Sequence, residues 1–306
     1  MPAERTSLFN LPLQGKGRTG EGSPGWGTAE SLAQGSPPGW LRSPTSPLQG
    51  EVKRNTITED AVLGGRLRLR QPRRGHRVGH DAILLAASCP ARAGEDVVDL
   101  GAGVGAAGLA LATRVEGTSV ALVEIDPDLA ALAAENAARN GLGARVRTVQ
   151  LDVAAPARAF AARGLGAQCC ARVLMNPPFN DAARHRLSPD ARRRLAHAAA
   201  PAALAAWIRT AARLLRPRGT LSLIWRADGL EEALSALAPA FGAVTLLPVN
   251  PKPDVPAIRI LLRATKASRA PLAILPGLLL NDRDGRPTAE AEAVLRGGKA
   301  LALGDP

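Results

Sequence analysis

The chain is poor in the side chains that build covalent frameworks and metal centres. Its 306 residues include three cysteines and four histidines. Cys89, Cys169 and Cys170 are an odd set with two adjacent and no CxxC pair, which excludes a disulfide framework and a cysteine-based zinc site. His76 and His80 stand four apart, but Pro72 and Gly75 precede them and Gly79 lies between, so a helical two-histidine metal site is not expected. Long apolar runs are lacking as well. Nothing approaches the ~18 consecutive apolar residues of a membrane span, because Arg, Asp or Glu interrupts every Ala-rich stretch. The first 50 residues lack the apolar centre of a secretion signal. The expectation is a cytoplasmic protein with neither metal nor membrane.

What is present fits an ordinary globular chain of one or two domains, 46% hydrophobic and 22% charged. Lys and Arg total 39 against 27 Asp and Glu, a net charge of +12. So basic a balance suits a polyanionic partner, above all nucleic acid. GC-rich coding produces the same excess of Arg and Ala, so charge alone decides little.

Residues 1–55 differ from the rest. Gly, Pro and Ser dominate, and short phrases recur, LPLQG at 11–15 echoed by SPLQG at 46–50. Such a segment buries too little apolar surface to offset its ordering entropy. It reads as a disordered leader or an overcalled start, in preference to a tail that grips a partner. A chain starting near Lys53 is expected to fold and act as the full chain does; a large loss of activity would mark a functional tail instead. The folded domain is expected over 56–306.

Within it, Leu63, Leu67 and Leu69 alternate with Gly and Arg, as in a short hairpin or edge strand, and a helix starts near Asp81. Regular alternation follows. Strands are expected at 96–100, 119–125, 145–151, 172–175, 220–225, 244–249 and 258–263. Helices are expected at 106–114, 128–140, 155–163, 189–215 and 230–237, with Pro201 a candidate break in the fourth. Alternating strands and helices mean an α/β fold, with a parallel sheet covered on both faces. The last two strands are joined only by a Pro-rich link, so they pair antiparallel.

The first core strand empties into a glycine turn: Val97 to Gly105 reads VVDLGAGVG. Glycine permits a sharp turn and close approach of a ligand to the backbone. Gly103, Gly105 and Gly108 satisfy GxGxxG, a weak pattern alone. Asp99 argues against a pyrophosphate ligand and for one with a cationic amino group. Glu124, at the tip of the second strand, suits a ribose diol; Asp126 serves equally as a helix cap. Asp152, after the third strand, suits an exocyclic adenine amine. Each acid singly is compatible with a loop cap. In this order they describe a pocket for an adenosine with a positive tail, which is S-adenosylmethionine. Here the chain resembles the class I, Rossmann-like S-adenosylmethionine-dependent methyltransferases over about 56–266. The resemblance implies a seven-stranded sheet with an antiparallel last strand and a cofactor lined by Asp99, Gly101, Glu124 and Asp152.

The fourth strand ends in Asn176-Pro177-Pro178-Phe179. The prolines fix φ and remove donors. They leave the Asn176 side-chain oxygen and the Pro177 carbonyl as acceptors, with the Phe179 ring beside them. Two acceptors and a ring suit a planar group carrying NH2. This resembles the Asn-Pro-Pro-(Tyr/Phe) motif of amino methyltransferases acting on adenine N6, guanine N2 or glutamine N5. The stretch Val78 to Leu85, VGHDAILL, is similar to V-G-T-D-x-(I/V)-L-L of bacterial tRNA1(Val) (adenine-N6)-methyltransferases, with His80 in place of threonine and Asp81 kept. That resemblance implies a cofactor contact at Asp81 and an anticodon-loop adenosine as substrate. Two arginine groups flank the motifs, at positions 66, 68, 70, 73, 74 and 77 and at Arg184, Arg186, Arg192, Arg193 and Arg194. Either can neutralise RNA phosphates or form a solvated face. The leading expectation is transfer to adenine N6 in tRNA. Guanine N2 in ribosomal RNA, glutamine N5 in a protein, and a non-catalytic RNA-binding protein on the same fold stand behind it.

Overall fold

The structure, a computed structural model, describes residues 57–73, 78–178 and 201–303. The expected leader lies outside these residues. The described part opens with an antiparallel hairpin, β1 (Ile57–Val62) and β2 (Leu67–Pro72). Leu67, Leu69 and Gln71 are buried on one face of β2, the alternation that a half-buried strand requires. Helix α1 (His80–Ser88) follows, with Ala82 to Ser88 all buried.

The main sheet is built on β3 (Asp96–Leu100), β4 (Ser119–Glu124), β5 (Val146–Gln150), β6 (Cys170–Met175), β7 (Leu215–Arg226), β8 (Phe241–Asn250) and β9 (Arg259–Lys266). Their spatial order is β8-β9-β7-β6-β3-β4-β5. Strand β9 lies between β7 and β8 and is antiparallel to both; the remaining neighbours are parallel. The antiparallel last strand is therefore as expected. The strand count differs, because β10 (Ala273–Ile274) and β11 (Leu278–Leu279) pair parallel with the edge of β8. Two residues carry no period, so neither is visible in the sequence.

Helices α2 (Ala106–Arg114), α3 (Pro127–Arg139), α4 (Ala157–Ala161), α5 (Pro201–Leu214), α6 (Leu230–Leu237) and α7 (Ala289–Leu295) cover the sheet. One apolar layer joins the hairpin, α1, α2 and α3 to Val97 and Leu122. The other joins α4, α5 and α6 to Val98, Leu100 and Val123. Alternate residues of a single strand feed opposite layers, which is why the central strands read as unbroken apolar runs. The expected helix over 189–215 is seen as α5; residues 189–200 lie outside the described ones. Its end differs by physics that the sequence leaves ambiguous. Leu214 and Leu215 suit either period, but Pro217 cannot continue a helix. Leu215 instead pairs with Cys170 and opens β7.

Candidate functional site

Parallel strands deliver their C-terminal ends to one edge of the sheet, and the register there sets the candidate residues side by side. Leu100 is level with Val123 on β4 and with Met175 on β6. The next residues, Gly101, Glu124 and Asn176, therefore sit abreast on three neighbouring strands. Glu124 is level with Gln150, which places Asp152 two residues beyond on the fourth.

The glycine turn is built as its composition requires. Gly101, Gly103 and Gly105 have φ of +70°, +57° and +88°, the left-handed region that side chains resist. A Cβ at Gly103 would meet nothing within 4 Å, so the backbone there stands open to a ligand. At Gly108, by contrast, a Cβ would lie 2.4 Å from Leu122 and 3.1 Å from an Asp99 oxygen. This glycine lets α2 close onto the sheet.

The acids hold the turn before they hold anything else. Asp99 is 2% exposed, and its Oδ2 accepts from the Gly108 N–H at 2.8 Å. Glu124 accepts from the Gly103 N–H at 2.8 Å and the Asp126 N–H at 2.9 Å. Asp126 caps α3, accepting from Asp128 and Leu129, so the capping role is the one observed. Asp152 is exposed, and its Oδ1 takes the Ala154 N–H at 2.8 Å. Asp81, in the first turn of α1, is half-buried and ion-paired with Arg259 at 2.9 Å. Its partner is thus a side chain 178 residues away, which spacing does not disclose.

Burial pushes the Asp99 carboxyl up to about 7, opposed by the Gly108 N–H and reinforced by the charge of Glu124. Glu124 is likewise raised by burial, against three backbone N–H groups and with the charge of Asp126 adding to the push. Two carboxyls raised by burial and by neighbouring negative charge make a site that gains from a cation, which fits a sulfonium bearing an ammonium group. The free protein carries the cost. Asp99 keeps its proton when folded up to about pH 7, whereas the unfolded chain loses it at the ordinary carboxylate value. Its contribution to stability is full below that value and is lost as pH rises through about 7. Asp99→Asn is therefore expected to unfold at a higher temperature than the parent at pH 8, with the gap closing below about pH 4. Thermal melts across this range check it; a gap independent of pH contradicts it.

Asn176 follows the last residue of β6, and Pro177 beside it is buried. The Asn176 Oδ1 is buried without a hydrogen-bond partner among the described residues. Phe179, Arg184, Arg186, Arg192, Arg193 and Arg194 lie outside the described residues, as do Arg74 and Arg77. The rest of the first arginine group is partly committed to the fold. Arg70 pairs with Glu135, Arg68 approaches Glu59 at 3.5 Å, and Arg66 donates to the Gly297 carbonyl at 2.6 Å.

Three residues at the site escape a reading of the sequence. The Trp207 ring of α5 rests on Gly101, where an added Cβ would meet it at 2.4 Å. Asn136 of α3 is fully buried, and its Nδ2 donates to the carbonyls of Arg70 and Val104, each at 3.0 Å, tying hairpin to turn. Asn136 and Asn140, four apart on an Ala-rich helix, were the available hint. Ile125 is 39% exposed directly after Glu124, an apolar surface beside the acid.

The family model for the methyltransferase small domain matches residues 76–253. The chain is 32% identical over 173 residues to a tRNA1(Val) (adenine(37)-N6)-methyltransferase of Tolumonas auensis, covering 56% of this chain and 68% of that one. It is 37% identical over 153 residues to a release factor glutamine methyltransferase of Moorella thermoacetica, covering 48% and 51%. Among solved structures it is similar to a predicted O-methyltransferase of Agrobacterium tumefaciens, with TM-score 0.62, 29% identity, and 72% and 98% of the two chains covered.

Proposed function

The chain belongs to the methyltransferase small domain family and is an S-adenosylmethionine-dependent methyltransferase, and from that premise we propose that it methylates the exocyclic N6 of an anticodon-loop adenosine in tRNA. The observation that carries the choice of an amine is Asn176: a buried amide oxygen, without a partner among the described residues, set abreast of the cofactor turn. Orphaned buried acceptors are costly, and one placed where a substrate enters is an acceptor held for an N–H. The likeness to tRNA adenine-N6 enzymes supports the choice of adenine and of tRNA.

S-adenosylmethionine, when bound, supplies an electrophilic methyl group. The chain supplies orientation. Gly103 leaves room against the backbone, while Gly101 is covered by the Trp207 ring. Glu124 suits the ribose hydroxyls, Asp99 and Glu124 favour positive charge, and Asp152 and Asp81 are the outer candidates for cofactor contact. Asn176 and the Pro177 carbonyl accept the two N–H bonds of the amine, and Phe179 stacks on the base. The nitrogen lone pair is thereby aimed at the incoming carbon, and the surplus proton leaves to water. The target adenine must be unpaired or flipped, because N6 is engaged inside a duplex.

Glutamine N5 of a protein is the second reading, favoured by the likeness to a release factor methyltransferase. Tritium transfer from labelled S-adenosylmethionine to total tRNA, ribosomal RNA and a release factor separates them. Label in tRNA, recovered as N6-methyladenosine, is expected; label confined to the release factor or to ribosomal guanine overturns the proposal. The second arginine group gives a further check. Replacing Arg192 and Arg193 with Ala is expected to weaken tRNA binding and to flatten the salt dependence of log K by roughly one to two units. An unchanged slope makes the group a solvated face.

A further inference from the structure

The end of the sheet away from the cofactor turn carries a second group of reactive side chains. Cys169 immediately precedes β6 and Cys170 opens it, and Gln168 before them has φ of +60°. Neighbours in a regular strand point to opposite faces, yet both residues reach the same cavity. Cys170 is 2% exposed, and its Sγ lies 3.4 Å from the Leu214 carbonyl oxygen. Cys169 is half-buried. Both line a cavity of about 400 Å³ whose polar walls include Asp96, Ser119, Arg145 and Arg147. The guanidinium groups of Arg145 and Arg147 donate to backbone carbonyls, which hold them in place and leave their charge unneutralised by those bonds.

We propose that Cys169 is a thiol-modification site that forms a mixed disulfide with a small disulfide carrying carboxylates, of the class of glutathione disulfide, seated in this cavity beside Arg145 and Arg147. The Cys169 thiolate attacks one sulfur of the incoming disulfide. That S–S bond breaks as the new one forms, and the departing thiolate leaves with the electron pair and takes a proton from water. The incoming disulfide is itself the oxidant, so no other is needed.

The surroundings favour Cys169 alone. Cys169 is half-buried where Cys170 and Cys89 are buried. The neighbouring Cys170 side chain and the charge of Arg147 on β5 lower its thiol, burial and Asp96 on β3 oppose, and the balance brings it to about 7, near the optimum for exchange at neutral pH. Cys170 is pushed up by Cys169 and by burial. Cys89 is pushed up to about 11 by complete burial. Neither competes as a thiolate, so the product is a mixed disulfide and not a Cys169–Cys170 bond.

The test is incubation of the full-length protein with glutathione disulfide, followed by mass spectrometry of the intact chain and its peptides. One glutathionyl group on Cys169 is expected, absent in Cys169→Ser, with a rate that titrates near pH 7. Cys170→Ala is expected to move that titration upward. Arg147→Gln is expected to slow the reaction several-fold with glutathione disulfide and little with neutral hydroxyethyl disulfide. An adduct on Cys89 or Cys170, a disulfide between Cys169 and Cys170, no adduct at all, or an Arg147→Gln effect equal for both reagents overturns the proposal.

Discussion

Replacing Asn176 with alanine is expected to cut kcat by at least ~10²-fold, by analogy with losing one preorganised polar group at an oxyanion site, while tRNA affinity barely moves. The amide oxygen does its work as the amine nitrogen turns tetrahedral and its N–H bonds become more acidic. An interaction made chiefly in the transition state appears in kcat, whereas one made throughout appears in KM. The structure adds a second expectation. Because the Asn176 Oδ1 has no partner among the described residues, its removal breaks no hydrogen bond seen there. The thermal midpoint is therefore expected to hold or rise. A kinetic loss with an unchanged melt assigns Asn176 to chemistry. A loss that tracks a lowered melt assigns it to the fold, and near-normal turnover ends the amine-orienting mechanism.

Much of the alternation of strands and helices was legible because its punctuation is strong. Asp96–Leu100, Ala106–Arg114 and Leu230–Leu237 stand where the alternation of apolar runs and glycines places them. The antiparallel last strand was legible from the absence of a helix between two apolar runs. Long-range partners were not legible. The arginines before α1 read as candidate phosphate ligands, yet Arg66 binds a carbonyl 231 residues away and Arg70 a carboxylate 65 residues away. Charge is written in the sequence, but which charges the fold consumes is not. Trp207 falls under the same limit. On an apolar helical stripe a tryptophan reads as core, and only the packing of α5 shows that it covers Gly101. Position in the sequence singles out Asp99 and Glu124 as candidates, but their bonds to Gly108 and Gly103 depend on the turn closing, a tertiary event.

Those bonds sharpen what Glu124 is expected to do. Glu124→Ala is expected to weaken S-adenosylmethionine binding about tenfold or more, since a hydrogen bond to a charged group contributes ~1.5–3 kcal/mol and about 1.4 kcal/mol is a factor of ten. The alanine variant also frees the Gly103 and Asp126 N–H groups, so part of its loss belongs to a loosened turn. Glu124→Gln separates the two contributions. Glutamine keeps the length and one carbonyl oxygen, but its NH2 faces a backbone N–H and supplies no negative charge. If the ribose hydroxyls and the positive tail are what Glu124 serves, glutamine loses most of what alanine loses. If Glu124 chiefly holds the turn, glutamine recovers a large share, and the recovery appears as well in the thermal midpoint of the free protein. Calorimetric titration of both variants, read beside their melts, distinguishes the outcomes, and unchanged affinity in Glu124→Ala removes Glu124 from the cofactor site.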